Sequence, residues 1–548
     1  MLSTMGTAPL SQATLLRHGA ELFPDTLIST WTGTEFRHAD FARLGRDGSR
    51  LAHLLSGLGI APGDRVGTFM WNNYEHLLAY HAIPAMGAVI HPLNIRLLPE
   101  QVGYVATQAA DRIVLVDGSL LDIFLECLPE MPTVERVIVI DGPLPAPSVS
   151  GVELHSFASL MREQPETEYP FPSVDERSAA AVCYTSGTTG NPKGVVYSHR
   201  SNLLHAMYLC SANALAIGRA DRVLPIVPMF HANGWGLPHA CLMAGAALLL
   251  PDRFVKPADL LHIMAQGQPT FAAAVPTVWA GVLAELDCRP QDIGHLREIM
   301  VGGAALPGDL MAGFQERHGV QLLAAWGMTE TSPLVTVARP PADYDVAAEP
   351  AYRLSQGKIP VGIDARLVGE DGVVLPRDGR SVGELQVRGP WITASYYAGA
   401  AAPVGSDSFD DGWLRTGDVG YITADGFLTL VDRAKDLIKS GGEWISSIQL
   451  ENDVMSHPGV AEATVVGVPD DKWGERPLAV VVLRDGADID AAALRAHLVG
   501  KVAKWQLPDL WSFVREIPKT SVGKFDKKRL RDAFEPGSPI DLRVSGKQ

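Results

Sequence analysis

Residues 184–200, YTSGTTGNPKGVVYSHR, set the fold class and the first ligand. Between Thr185 and Gly194 the stretch packs four hydroxyl side chains (Thr185, Ser186, Thr188, Thr189), three glycines (Gly187, Gly190, Gly194) and one lysine, Lys193. Glycines let backbone N–H groups turn inward and approach a ligand closely, hydroxyls add donors, and a lysine adds a point charge. That combination points to a polyphosphate. The apolar run 179–183 enters the loop like a buried strand, which places the loop at a sheet edge where ligands bind in α/β folds. The competing reading is a solvated Gly/Thr surface loop. A Walker A loop is excluded: counted from Gly187, that pattern needs Gly at 192 and Ser or Thr at 194, where Pro192 and Gly194 stand.

Outward from the loop, residues 14–116 alternate between helical and strand patterns, with helices at 41–57, 74–86 and 99–108 and strands at 65–70, 88–92 and 112–116. This is the rhythm of a doubly wound α/β unit. The proline-rich, polar stretch 143–172 reads as a connector. A second α/β run fills 199–337, with short apolar strands at 222–227, 246–250, 271–275, 298–301 and 322–325. From 357 to 431 the texture changes to short alternating strands with Gly and Asp turns, as in a small β-barrel. A last unit carries helices at 447–456 and 491–502 and strands at 463–468, 478–483 and 511–514, a compact α+β domain. The expected fold class is therefore α/β. A large N-terminal domain, 1–432, holds two doubly wound subdomains and a barrel, and a small mobile α+β domain follows at 433–548.

Composition bounds the function. The 548 residues, 47% hydrophobic and 20% charged, are ordinary globular material able to bury a large interior. A net charge of -16 argues against a general nucleic-acid or anionic-membrane binder. Five scattered cysteines without a C-x-x-C pair read as buried thiols of a reducing compartment. The N-terminal residues lack a basic start followed by an apolar run. No apolar stretch reaches membrane-spanning length; the most apolar, 240–251, fits a buried element. Together these predict a cytoplasmic protein with no membrane span and no nucleic-acid partner.

Further along stand Met229-Phe230-His231-Ala232-Asn233-Gly234-Trp235, the post-strand turn Gly302-Gly303-Ala304-Ala305, Ala325-Trp326-Gly327-Met328-Thr329-Glu330-Thr331 and Thr416-Gly417-Asp418. Small residues after a strand let a flat ring lie against backbone, and a tryptophan can stack on its other face. Thr329 offers a hydroxyl to a phosphate and Glu330 a hard oxygen to magnesium, which favours few carboxylates plus phosphate oxygens. A carboxylate such as Asp418 can accept two ribose hydroxyls. The charged stretch 432–446, DRAKDLIKSGGEWIS, reads as an interdomain linker, and Pro518-Lys519-Thr520-Ser521-Val522-Gly523-Lys524 follows the last strand. Taken singly these are turn, core and surface signals.

In order and spacing they closely resemble the motifs of the adenylate-forming superfamily: acyl-CoA synthetases, luciferases and the adenylation domains of peptide synthetases. The resemblance covers nearly the whole chain and is strongest to medium- and long-chain fatty acyl-CoA synthetases and 3-methylmercaptopropionate-CoA ligases. It implies an AMP-forming acid:CoA ligase using ATP, Mg2+ and coenzyme A on a fatty or related apolar carboxylic acid, and a possible homodimer. By the same resemblance Thr185 to Gly190 and Lys193 hold the β- and γ-phosphates. Gly303, Ala304, Ala305, Trp326, Asp418 and Arg433 hold the nucleoside. His231, Trp235, Gly302, Gly327, Met328 and Pro333 line the acid pocket. Thr185 and Glu330 serve the metal, and Lys524, Thr329, Glu330, Lys435 and Arg433 serve catalysis, with Lys435 at the hinge. Lys439, Gly441, Gly442, Glu443, Trp444 and Glu475 belong to the CoA path. A luciferase-like oxygenase, a carrier-protein loading enzyme and a nucleotide sensor are the alternatives of other classes.

Overall fold

The computed structural model describes residues 1, 3–145, 147–185, 191–397, 406–441, 443–484, 486–520, 524–534 and 544–545. Two large sheets share one core and a third, smaller sheet closes the chain. In the first sheet the strands run in the order Gly194–Ser198, Ala179–Tyr184, Val89–Pro92, Arg65–Phe69, Ile113–Asp117, Arg136–Ile140, Val152–Ser156 and Ser148–Val149. The inner strands are parallel and each edge pair is antiparallel. The apolar runs at Ile113–Asp117 and Arg136–Ile140 follow from burial on both faces.

Helix Tyr74–Ala85 is buried along its whole length, which explains why its sequence carries no polar face. Asn73 starts it by accepting the His76 backbone N–H at 3.0 Å. The core around it joins Val66, Ile90 and Ala181 of the first sheet to Ile28, Val223 and Leu248 of the second.

The second sheet runs parallel from Leu322–Gly327 through Glu298–Val301, Phe271–Ala274, Arg222–Pro225 and Ala247–Leu250 to Leu27–Trp31. Three features depart from the sequence reading. Strands Leu27–Trp31 and Phe36–Asp40, which precede the first sheet in the chain, pair into the second, Ile28 opposite Leu248. The barrel is no separate body: Leu334–Val337 and Gly357–Lys358 join the parallel strands by hydrogen bonds to Phe427–Arg433, Trp413–Ile422 and Gly383–Arg388. The connector 143–172 holds the hairpin Ser148–Val149 and Val152–Ser156 and helix Phe157–Arg162. Its prolines lie outside those elements, so composition over thirty residues hid a local pattern.

The third sheet pairs Ile438–Ser440, Glu443–Ile445, Val460–Asp470, Gly474–Leu483 and Leu510–Phe513 and packs against helices Ser447–Met455, Ala491–Leu498 and Lys527–Phe534. Of the five thiols, Cys127, Cys183 and Cys241 are buried, Cys210 is half-buried and Cys288 is exposed, so the expectation of uniformly buried cysteines fails at Cys288. Among the described residues no helix is long and apolar enough to cross a membrane.

Candidate active site

A cavity of about 470 Å³ opens where the strand ends of both large sheets, the barrel and the third unit meet. Its walls include Thr185, Lys193, His231, Trp235, Thr329, Glu330, Arg433, Lys435 and Lys524, which the sequence reading had chosen from five separate motifs.

The base of the Gly/Thr loop is closed by a reciprocal pair: the Thr185 N–H donates to the Lys193 carbonyl at 3.0 Å and the Lys193 N–H to Thr185 Oγ1 at 3.1 Å. Ser186, Gly187, Thr188, Thr189 and Gly190, and Gly442 in the linker, lie outside the described residues. Opposite the loop, the Tyr197 hydroxyl donates to the Thr329 carbonyl at 2.6 Å and the Tyr396 hydroxyl to Glu330 Oε1 at 2.6 Å. Lys193 Nζ stands 4.7 Å from the centre of the Tyr396 ring. Tyr396 thus touches both Lys193 and Glu330.

The apolar end of the cavity rests on an unusual backbone. Ala232, Asn233, Gly234, Trp235 and Gly236 all have positive φ (43, 55, 55, 55 and 75°), a left-handed turn that L-residues avoid. Hydrogen bonds on both sides hold it. Asn72 accepts the Met229 N–H at 2.7 Å, and Asn233 Nδ2 donates to Asn202 at 3.3 Å. The turn lays the Trp235 ring against backbone, where a Cβ on Gly302 would stand 3.2 Å from it. Met300, Gly327, Met328, Pro333 and Leu334 complete this wall. Burial, reinforced by the charges of Lys524 and Arg96, pushes His231 down to about 3, so its imidazole is neutral.

The nucleoside candidates are built differently from expectation. Trp326 and Asp418 are only 6% and 4% exposed and lie behind the wall made by Gly327, Thr416 and Gly417. The Trp326 indole N–H donates to Asp418 Oδ2 at 2.8 Å, and Arg433 Nε donates to Asp418 Oδ1 at 3.0 Å. Strand pairing sets the second contact, since Asp418 and Arg433 are direct cross-strand partners. Gly303 lines the cavity with φ +81°, while Ala304 and Ala305 continue its turn.

Lys524 reaches this cavity from the third unit. Burial and the neighbouring Arg433 charge lower its pKa to about 8, against the opposing carboxylates Asp418 and Glu330. Lys435 is likewise lowered, first by burial. The residues expected on the CoA path lie elsewhere, on the edge of the third sheet. Lys439 Nζ stands 4.3 Å over the Trp444 ring and 3.4 Å from Glu370, and its backbone N–H donates to Glu475 at 2.9 Å. Gly441 has φ +64° beside Trp473, and Glu443 and Trp444 are exposed.

Among the described residues no three His, Cys, Asp or Glu side chains gather as a metal site. A lone Glu330 fits Mg2+, which keeps waters and phosphate oxygens as its other ligands; Thr185 stands on the same cavity wall. Tyr197, Tyr396, Asn191, Met300 and the Arg415–Glu384 pair at 2.9 Å are wall residues or supports that the sequence reading missed.

The chain matches the AMP-binding enzyme family over residues 16–397 and the AMP-binding enzyme C-terminal domain over 449–524. It is 40% identical to the 3-methylmercaptopropionyl-CoA ligase of Ruegeria pomeroyi, covering 97% of this chain and 99% of that one. It is also 40% identical to the long-chain-fatty-acid–CoA ligase of Thermus thermophilus, covering 97% of each. The crystal structure of the anthranilate CoA ligase AuaEII with anthranoyl-AMP superposes with a TM-score of 0.86 at 26% identity, over 97% of this chain and 99% of that one. With both its large and its C-terminal portions matched, and with CoA ligases as relatives along its length, the chain belongs to the AMP-binding enzyme family.

Proposed function

We propose that the chain is an ATP-dependent, AMP-forming acid:CoA ligase for an apolar carboxylic acid. The observation that carries this is convergence: Lys193, Glu330 and Lys524, from three distant segments, face one cavity whose other end is apolar and floored by Trp235 and Met300. In the first step a carboxylate oxygen of the acid attacks the α-phosphorus of ATP, the bond to the β-phosphate oxygen breaks, and pyrophosphate leaves. In the second the CoA sulfur attacks the acyl carbonyl carbon, AMP departs with the bonding electrons, and the thiol proton passes to solvent. Lys193 and the hydroxyl loop offset the charge of the leaving phosphates, and Lys524 that of the carboxylate and α-phosphate. Thr329 offers its hydroxyl to the same phosphates. Asp418, held by Trp326 and Arg433, orients the ribose. Glu330 and Thr185 would hold Mg2+, which would supply charge neutralisation to the phosphates.

In this reading residues 1–432 form the large domain and 433–548 a small one that turns about Lys435, bringing the Lys439 to Trp444 edge and Glu475 to the CoA path. The enzyme is cytoplasmic and, as the resemblance implies, homodimeric. Sizing chromatography tests the dimer. A short thioether acid is the second reading within the class. Behind His231 the space beside Tyr184 and Phe230 narrows to about 10 Å³, which supports the shorter acid in this second reading. The deciding experiment is AMP release with CoA for acids from propionate to palmitate and for 3-methylmercaptopropionate. No acid-dependent AMP release across that panel would overturn the ligase reading.

A further inference from the structure

The strand Phe427–Arg433 ends with two charged residues that point to opposite faces. Arg433 faces Asp418 and the cavity. Asp432 is 3% exposed and faces the third unit. Its Oδ2 accepts both the Ser447 N–H at 2.6 Å and the Ser447 hydroxyl at 2.5 Å, at the first residue of helix Ser447–Met455. Beside it the Ser446 hydroxyl donates to the Val431 carbonyl at 2.6 Å.

Ser447 is shared. Lys527 Nζ donates to its Oγ at 2.5 Å and pairs with Glu451 Oε1 at 2.8 Å, one turn further along the same helix. Glu451 Oε1 is fixed in turn by the Thr464 hydroxyl at 2.9 Å and the Val465 N–H at 2.8 Å. Burial opposes the Lys527 ammonium, but the carboxylates of Glu451, Asp432 and Asp436 outweigh it and hold the pKa above the ordinary lysine value. Arg531, on the helix that begins at Lys527, pairs with Asp436 at 2.8 Å and ties the linker to that helix as well.

Lys527 opens helix Lys527–Phe534, three positions after Lys524. Lys524 is also tied to Thr520 through two hydrogen bonds. Its N–H donates to Thr520 Oγ1 at 3.2 Å, and the Thr520 N–H donates to its carbonyl at 2.7 Å. A polar path therefore runs from the end of the barrel strand, through Ser447 and Lys527, to the segment that carries Lys524 into the cavity.

Burying such a set is weak evidence for stability, because desolvation offsets most of the attraction. What it fixes is orientation: an apolar contact would tolerate sliding, whereas these bonds hold at one geometry. We propose that Lys527 is a positioning residue for Lys524, and that Asp432, Ser447, Lys527 and Glu451 form a latch holding the C-terminal unit where Lys524 serves acyl-adenylate formation. The latch does not serve thioester formation, in which the thiol attacks an adenylate already made. This rests on the ligase reading above.

The test uses the full-length protein with Lys527→Met, Lys527→Arg and Ser447→Ala. Octanoate and 3-methylmercaptopropionate are the acids for ATP–pyrophosphate exchange, and their synthetic adenylates with CoA report the second half-reaction alone. Loss of alignment predicts that Lys527→Met slows exchange by at least about tenfold, since displacement of a reacting group by an ångström is costly. Thioester formation from supplied adenylate stays within about twofold of wild type, because orienting Lys524 contributes only to the first step. Lys527→Arg, which keeps the charge, restores most of the exchange, and Ser447→Ala falls between. Equal loss in both half-reactions, or exchange unchanged in Lys527→Met, overturns the proposal. Should Lys527→Met melt without cooperativity, Ser447→Ala decides alone, since it removes one hydroxyl from a helix end that alanine tolerates; exchange unchanged there, or both half-reactions lowered equally, overturns the latch. A wild type that performs neither half-reaction with either acid overturns the ligase reading instead.

Discussion

Lys524 lies across the turn at Gly303: a Cβ built on Gly303 would stand 3.3 Å from Lys524 Cε and 3.3 Å from Val275 Cγ1, at a φ of +81°. Two units distant in the chain are thus fitted to each other through a missing methyl group. Gly303→Ala meets both the contact and the left-handed backbone, which costs about 1–2 kcal/mol by itself. The expected result is a lowered melting temperature and, beyond it, exchange activity reduced by more than about tenfold as Lys524 is pushed aside. Differential scanning fluorimetry and ATP–pyrophosphate exchange on the same sample check it; a variant with wild-type exchange would refute the fit.

The lowered Lys524 pKa of about 8 gives a pH prediction with a definite sign. The cationic form is the useful one, so kcat/KM for adenylation falls as pH rises through about 8 in the free enzyme. Bound ATP adds negative charge and stabilises the cation, so the same limb moves to higher pH in kcat. Lys524→Ala has little activity, and what remains lacks this alkaline limb. Initial-rate profiles from pH 6 to 10 read both.

Trp326→Phe keeps a ring and loses the N–H that holds Asp418 at 2.8 Å. If anchoring is the main role, Phe weakens AMP binding nearly as much as Ala does. If the ring also stacks on adenine, Ala costs a further amount within roughly 1–3 kcal/mol. Calorimetry with AMP on both variants separates the two contributions, and unchanged affinity in both would remove Trp326 from the site.

Buried histidines predict acid sensitivity. Burial lowers His76, His199 and His239 to about 4 and His205 to about 3. Each is neutral in the fold but takes a proton when unfolded near its ordinary value of about 6.5. Stability is therefore complete above about pH 6.5 and falls as pH drops toward 4, by up to about 1.4 kcal/mol per histidine per pH unit. Urea melts at pH 7.5 and 5.5 measure the slope, and His239→Gln flattens it.

The parts of the site that are legible in sequence are those whose chemistry is packed into a few contiguous residues. Lys193 sits among its own glycines and hydroxyls, Glu330 follows a strand and two small-residue turns, and Lys524 ends a recognisable frame. Tyr396 has no such neighbourhood. Its meaning comes from Glu330, 66 positions away, and a Tyr396-Tyr397 pair says nothing of that. The Trp326–Asp418 contact spans 92 positions and depends on the order in which the strands between them assemble. For the fold, periodicity reveals strands buried on both faces. It does not reveal sheet membership, which is why Leu27–Trp31 pairs with Ala247–Leu250 against sequence order.

The left-handed turn at 232–236 also bears on how this protein responds to selection for heat resistance. Ala232 sits at φ 43° and Trp235 at φ 55°, so part of the folding energy is committed to the apolar end of the cavity. Replacing Ala232 by glycine relieves backbone strain there. Screens for thermostability should thus recover substitutions in the substrate pocket itself, and the most heat-resistant variants would be those whose choice of acid has drifted.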